Sequence, residues 1–212
     1  MIRWLAKMFG QGLSWPDRSR LGLSWPDLTR QGRSRPDLSR PDRSRPDRSR
    51  PDRSRRGLAE PIPVEVVATG QGFQLLRGGE PYYVRGAGLG GGSVEELAAA
   101  GANSLRTWST HGADSLLDRA QSLGLSVALG LDIGLERHGF DYDDAEAVAA
   151  QCDRLREQVG RYKDHPALLC WIIGNEPNLN YSNTRVFDAI NALSKMIHEL
   201  DGAHPVSYTH LT

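Results

Sequence analysis

The sequence predicts an α/β fold of parallel strands joined by helices, preceded by a tail that builds no core. Three observations lead there. Apolar runs of strand length alternate with stretches of helical periodicity four times over between residues 82 and 200. Turn and capping residues fall at the junctions, and the first 60 residues share none of this texture. Alternation of this kind means parallel strands with right-handed crossovers. Two architectures compete for it, an open doubly wound sheet and an eight-stranded barrel.

The tail comes first. Residues 1–57 carry 15 Lys or Arg against 6 Asp, whereas residues 58–212 carry 11 against 20 Asp or Glu, so the overall balance of zero hides +9 and −9. From Gly12 a ten-residue period ("GLSWPDRSRL", "GLSWPDLTRQ") shortens to a five-residue one, "RPDRS". Pro36, Pro41, Pro46 and Pro51 remove a backbone donor every fifth residue, which neither helix nor ladder tolerates. Almost nothing apolar follows Leu38, so no core offsets the entropy of ordering. Five residues are also too few for a stackable repeat. Residues 1–60 are therefore expected to be a disordered, low-complexity tail. An arginine-rich arm for nucleic acid is the functional alternative, but each repeat pairs its arginines with an Asp, and no nucleic-acid partner is expected. A tandem DNA repeat read through as protein explains the tail more simply.

The folded part is expected over residues 61–212. "VEVVATG" and "FQLLRGGEPYYVRG" read as strands, with "RGGE" a hairpin turn. "YYVRGAG" reads as a strand ending in glycines. "SVEELAAAG" follows as a helix, with Ser93 and Glu96 in capping-box spacing and Gly101 as its stop. "NSLRTW" is a strand, and "DSLLDRAQSLG" a helix capped by Asp114 and closed by Gly124. "LSVALGLDI" is the next strand. The longer helix after it is apolar at Ala145, Val148, Ala149, Cys152, Leu155 and Val159. "ALLCWIIGNEP" is a strand, then comes a helix apolar at Val186, Phe187, Ile190, Leu193, Ile197 and Leu200, and "HPVSY" can start one more strand.

Several function classes are excluded or weakened. Gly86, Gly88 and Gly91 fit G-x-G-x-x-G, but in a glycine tract, and the acidic residue expected after the second strand is replaced by "LRTWST". A flexible strand-to-helix connection is preferred to a phosphate cradle. Cys152 and Cys170 have no metal-ligand spacing and read as small buried hydrophobes. No His, Asp or Glu spacing asks for a metal, no cofactor is expected, and no Gly-x-Ser-x-Gly nucleophile is present. No run approaches the ~18 apolar residues of a membrane span, and "MIRWLAKMFGQG" is too broken by Lys7 for a secretory signal, so no membrane partner is expected.

In parallel α/β folds functional groups gather at the C-terminal ends of strands. Those ends offer Arg85 or the glycines after the first, Arg106 and Trp108 on the second, Asp132 on the third, and Asn175 and Glu176 on the fourth. His111 and His138 lie in loops on the same side. A cation, an indole, an amide and two carboxylates facing one mouth suit a polar, ring-shaped substrate. Trp108 can stack on a sugar face, Asn175 can hydrogen-bond a hydroxyl, and Glu176 can protonate a leaving oxygen. The plain alternatives are ordinary packing for Trp108, an ion pair of Arg106 with Asp132 or Glu176, and a loop-capping role for Glu176.

"YKDHPALLCWIIGNEPN" closely resembles the fourth-strand signature of clan A glycoside hydrolases, above all the TIM-barrel domain of glycoside hydrolase family 2. "GAGLGGG" and "EELAAAGANSLRTW" resemble the first and second strand units of the same domains, and the likeness spans roughly residues 72–206. The resemblance implies a partial (β/α)8 barrel of about four to five units. It also implies a carbohydrate substrate, Glu176 as general acid/base, Asn175 as partner of the sugar 2-hydroxyl, and Arg106 as the arginine that orients the nucleophile. A retaining glycosidase needs a proton donor and a nucleophilic carboxylate about 5–5.5 Å apart. The donor must stay protonated near neutral pH. In the family the nucleophile is a second Glu on the seventh strand, and this chain is expected to stop at or before its fifth. After "AHPV" the stretch "VSYTHLT" leaves the likeness and matches the translation of a transposon-adapter end used in DNA library preparation. The reading is thus a fragment of a retaining glycosidase for a β-linked carbohydrate, inactive as an isolated chain. The alternative is a non-catalytic carbohydrate-binding or interaction half-barrel.

Overall fold

The computed structural model describes residues 60–210. The repeat tail and its expected disorder lie outside the described residues.

Two sheets are present among the described residues. The first is an antiparallel meander of β1 (Val64–Thr69), β2 (Gly72–Arg77) and β3 (Glu80–Pro81). Its second turn is the "RGGE" read from the sequence, with Arg77 opposite Glu80. Gly78 (φ 61°) and Gly79 (φ 84°) are both left-handed, as a tight hairpin turn matching the strand twist requires.

The second sheet is parallel: β4 (Gly86–Gly88), β5 (Ser104–Arg106), β6 (Ser126–Leu131), β7 (Leu168–Ile173) and β8 (Val206–Tyr208). Between them run α1 (Val94–Ala99), α2 (Ala113–Ser122), α3 (Ala145–Tyr162) and α4 (Arg185–Leu200). The strands lie side by side in chain order. A doubly wound sheet reverses its order at a switch point. Here the order never reverses, so the units wind in one sense, as in a (β/α)8 barrel, and the open-sheet alternative falls away.

Strand parity separates two faces. Leu105, Val127, Leu129, Leu131, Leu168, Trp171 and Ile173 join Leu117 of α2, Leu155 and Val159 of α3, and Leu193 and Ile197 of α4 in one core. Fully buried leucines such as Leu117, Leu129 and Leu155 each contribute about 2 kcal/mol over exposure. The opposite face mixes small or polar residues, among them Ser104, Arg106, Ser126, Ala128 and Gly130, with the buried Ile172 of β7. The meander closes the N-terminal end of the strands. Arg77 Nη2 donates to Pro166 O (2.8 Å) before β7, Val64 N to Ala203 O (2.8 Å) before β8, and Tyr82 Oη to Asn103 O (2.7 Å) before β5. The C-terminal ends are left to the loops.

Some local expectations are corrected. The first parallel strand is only Gly86–Gly88, because Tyr82 and Asn103 use their polar groups to tie residues 82–85 to the barrel's lower rim. Arg85 therefore precedes the strand and sits at the opposite end from the mouth. Asp114 does not cap α2. Gly112 occupies that position in a left-handed conformation, and Asp114, one residue inside, pairs with Arg161. Ser93 caps α1 as expected by accepting from Glu96 N, and its own hydroxyl donates to Glu95. Ala145 is exposed, and α3 instead buries Gln151, whose side-chain oxygen accepts from Gly134 N. No helix among the described residues is long and apolar enough to cross a membrane.

Candidate active site

The loop leaving β7 carries the central groups. Gly174 (φ 64°) turns the chain, Asn175 and Glu176 follow, and Glu176 is itself left-handed (φ 50°). A non-glycine residue held there costs about 1–3 kcal/mol and persists only where its surroundings impose it. Those surroundings are visible. Arg137 Nη1 donates to Glu176 O (2.6 Å), Arg137 Nη2 to Asn175 O (3.2 Å), and Leu179 N to Glu176 O (3.0 Å). Glu176 N donates to Thr209 Oγ1 (3.2 Å).

Arg106, the last residue of β5, is 6% exposed. Its Nη2 donates to Asn175 Oδ1 (3.0 Å). Burial pulls the guanidinium down to about 10, against the opposing fields of Cys170 and Glu176, so it remains a cation at neutral pH. Glu176 thus lies within the electrostatic reach of Arg106, while the hydrogen bond goes to the neighbouring amide. Cys170 stands in register with Ala128, and burial pushes its thiol up to about 12. Both cysteines are free and partly buried.

Trp108 is 41% exposed, and Arg106 Cζ lies 5.7 Å from its ring centroid. A Cβ on Gly88 would stand 2.6 Å from Trp108 Cη2, and one on Gly86 only 2.0 Å from Ser104 O. The glycines of "GAGLGGG" are thus needed at these two positions by close packing against β5 and the Trp108 indole. Beside Trp108 and His111 lies an open cavity of about 700 Å³, which also takes in the Glu95–Arg119 ion pair and does not reach Asn175 or Glu176.

Asp132 follows β6 directly and is exposed, and its backbone carbonyl accepts from Arg154 Nη2 (2.8 Å). His138 is exposed in the 3-10 turn Glu136–His138. The structure therefore draws Arg106, Trp108, Asn175 and Glu176 into one cluster and leaves Asp132 at the rim. Sequence reasoning missed Arg137 and its neighbour Glu136. Glu136 accepts from Ser182 N (2.8 Å), Asn183 N (3.0 Å) and the Ser182 hydroxyl, and these bonds hold its carboxyl below the usual range. Their partners are mostly backbone groups, which no side-chain spacing announces. Among the described residues no cluster of three or more His, Cys, Asp or Glu side chains is placed to hold a metal ion.

Residues 101–211, just over half of the chain, match the family model "Glycosyl hydrolases family 2, TIM barrel domain". The chain belongs to glycosyl hydrolase family 2. The match begins later than the motif likeness at residue 72 and runs past Val206, where the likeness was expected to end. Among curated proteins, a probable mannan endo-1,4-β-mannosidase C of Aspergillus terreus is 28% identical over 161 residues, covering 63% of this chain and 39% of that protein. The β-D-glucuronidase of Dictyoglomus thermophilum shares the fold at a TM-score of 0.53 and 20% identity, over 70% of this chain and 29% of its own. A Ruminococcus gnavus β-glucuronidase does so at 0.55 and 17%, over 70% and 30%. This family 2 chain thus spans about two fifths of the curated relative and less than a third of these solved structures.

Proposed function

We propose that this family 2 domain supplies the acid/base half of a retaining glycosidase site for a β-linked carbohydrate. The observation that carries the reading is the placement of Glu176 at the C-terminal end of β7, next to an Asn175 whose amide is held by buried Arg106. Arg can only donate, so Asn175 turns Oδ1 toward it and leaves Nδ2 as the donor for the sugar 2-hydroxyl oxygen. Trp108 offers its exposed face to the sugar ring, and Asp132 contributes an acceptor at the rim.

In the first step a nucleophilic carboxylate attacks the anomeric carbon while the Glu176 carboxyl passes its proton to the departing glycosidic oxygen. In the second, the Glu176 carboxylate takes a proton from a water molecule as the water oxygen attacks the same carbon and releases the first carboxylate. The nucleophile is assigned to a later strand of the barrel, outside the described strands. A complete barrel has eight strands, and five are described here.

The test uses the protein expressed from its whole reading frame. Glu176→Gln is expected to abolish cleavage of glycosides with poor leaving groups while the thermal melt stays unchanged. Full retention of that activity overturns the assignment. Binding of sugar without turnover in the unaltered protein points instead to the carbohydrate-binding module.

A further inference from the structure

We infer that Arg137 is a positioning residue that fixes the acid/base carboxyl through the backbone. The inference rests on the reading of Glu176 as general acid. The Arg137 fork grips two consecutive carbonyls, Glu176 O at 2.6 Å and Asn175 O at 3.2 Å. They belong to the two peptide units on either side of the Glu176 Cα, where the chain takes its left-handed conformation. A guanidinium presents parallel donors in a rigid plane, so one side chain sets the orientation of both peptide units.

The adjacent residue anchors the other end of the same loop. Glu136 accepts from the backbone at Ser182 and Asn183 and from the Ser182 hydroxyl, so residues 176–183 are tied at both ends to one 3-10 turn after β6. The two anchors differ in what they set. Glu136 restrains the distal stretch before α4, whereas Arg137 holds the two peptide units around the Cα from which the Glu176 side chain departs. Arg137 spends two donors on carbonyls rather than on the reacting groups, so it acts through Glu176.

The experiment compares Arg137→Met, Arg137→Lys and Glu176→Gln in the protein from its whole reading frame. Each is assayed on aryl glycosides of one sugar with good (dinitrophenyl) and poor (phenyl) leaving groups. A general acid matters only where the leaving oxygen needs its proton, and misplacement by about 1 Å costs about 100-fold. Arg137→Met is expected to lose about 100-fold in kcat/KM, which reports the first step, on the phenyl glycoside and less than about threefold on the dinitrophenyl one. Arg137→Lys, which keeps the charge without the fork, is expected to show the same split, and it decides the question if the Met variant does not fold. Equal losses on both substrates, or none, overturn the positioning role even where Glu176→Gln shows the split. If Glu176→Gln shows no split, it is the acid/base reading itself that fails.

Discussion

Arg106 Nη2 donates to Asn175 Oδ1 across 3.0 Å, linking the end of β5 to the end of β7 with β6 lying between them. Neighbouring strands are about 4.8 Å apart, so the side chain must cross roughly 10 Å of sheet. Its partner in register on β6 is Ala128, and a residue this small at that place leaves the path open. The contact thus depends on three strands at once, and it sets which atom of the Asn175 amide faces the mouth.

Replacing Arg106 with Lys keeps a cation and loses the reach and geometry of the fork. We expect kcat/KM for a 2-hydroxyl glycoside to fall about 100-fold, since the amide is no longer held in its donating orientation. The corresponding 2-deoxy glycoside should lose far less, because it never used that donor. Equal losses on the two substrates would mean that Arg106 serves something other than the 2-hydroxyl contact.

Gly130 makes a second, purely steric prediction. A Cβ there would lie 2.5 Å from the Trp108 carbonyl carbon and 2.6 Å from Thr107 O, both backbone atoms that no rotamer change can move. Gly130→Ala should therefore destabilise the domain by about 1–3 kcal/mol in urea unfolding. Gly91→Ala, with nothing within 4 Å of the new methyl, should leave the midpoint in place. A Gly130→Ala variant of unchanged midpoint would show that β5 and β6 do not approach this closely.

The alternation of apolar periods made the strand–helix rhythm legible, and Gly101, Gly124, Gly78 and Gly79 all stand at the turns their chemistry implied. Strand order was not legible, because periodicity reports which face is buried and not which strand lies alongside. The ends of short strands were hidden as well. Tyr82 and Tyr83 are strand-like in isolation, yet Tyr82 Oη bonds Asn103 O and Tyr83 O accepts from Asn103 Nδ2, which moved the start of β4 to Gly86. In the candidate site, Glu176 and Asn175 stood out because carboxylate and amide end an apolar run. Arg137 did not, since its partners are carbonyl groups 38 and 39 residues away.

The last prediction concerns the foot of the barrel. Asp201, 4% exposed, accepts from Trp171 Nε1 (2.7 Å), Ala203 N (2.9 Å) and His204 Nδ1 (2.9 Å). Burial pushes its carboxyl up, but the bonds from His204, Trp171 and Ala203 together outweigh it and hold the group below its ordinary 3.8. Between that folded value and 3.8 the unfolded chain binds more protons than the folded one, so stability rises with pH there. The ionised Asp201 therefore contributes fully above 3.8 and is lost as pH falls through the lower folded value. Asp201→Asn removes the charge while keeping the shape. We expect it to cost about 1–3 kcal/mol at pH 7, where the donors on Trp171, Ala203 and His204 lose a charged acceptor. The deficit should shrink as pH falls below 3.8 through the lower folded value, where the parent carboxyl is protonating too. Urea unfolding of both proteins at pH 7 and at pH 2.5 decides it. A deficit equal at the two values would mean that Asp201 works as a neutral acceptor for the Trp171 indole, and that its own charge plays no part in holding β7 against the segment leading into β8.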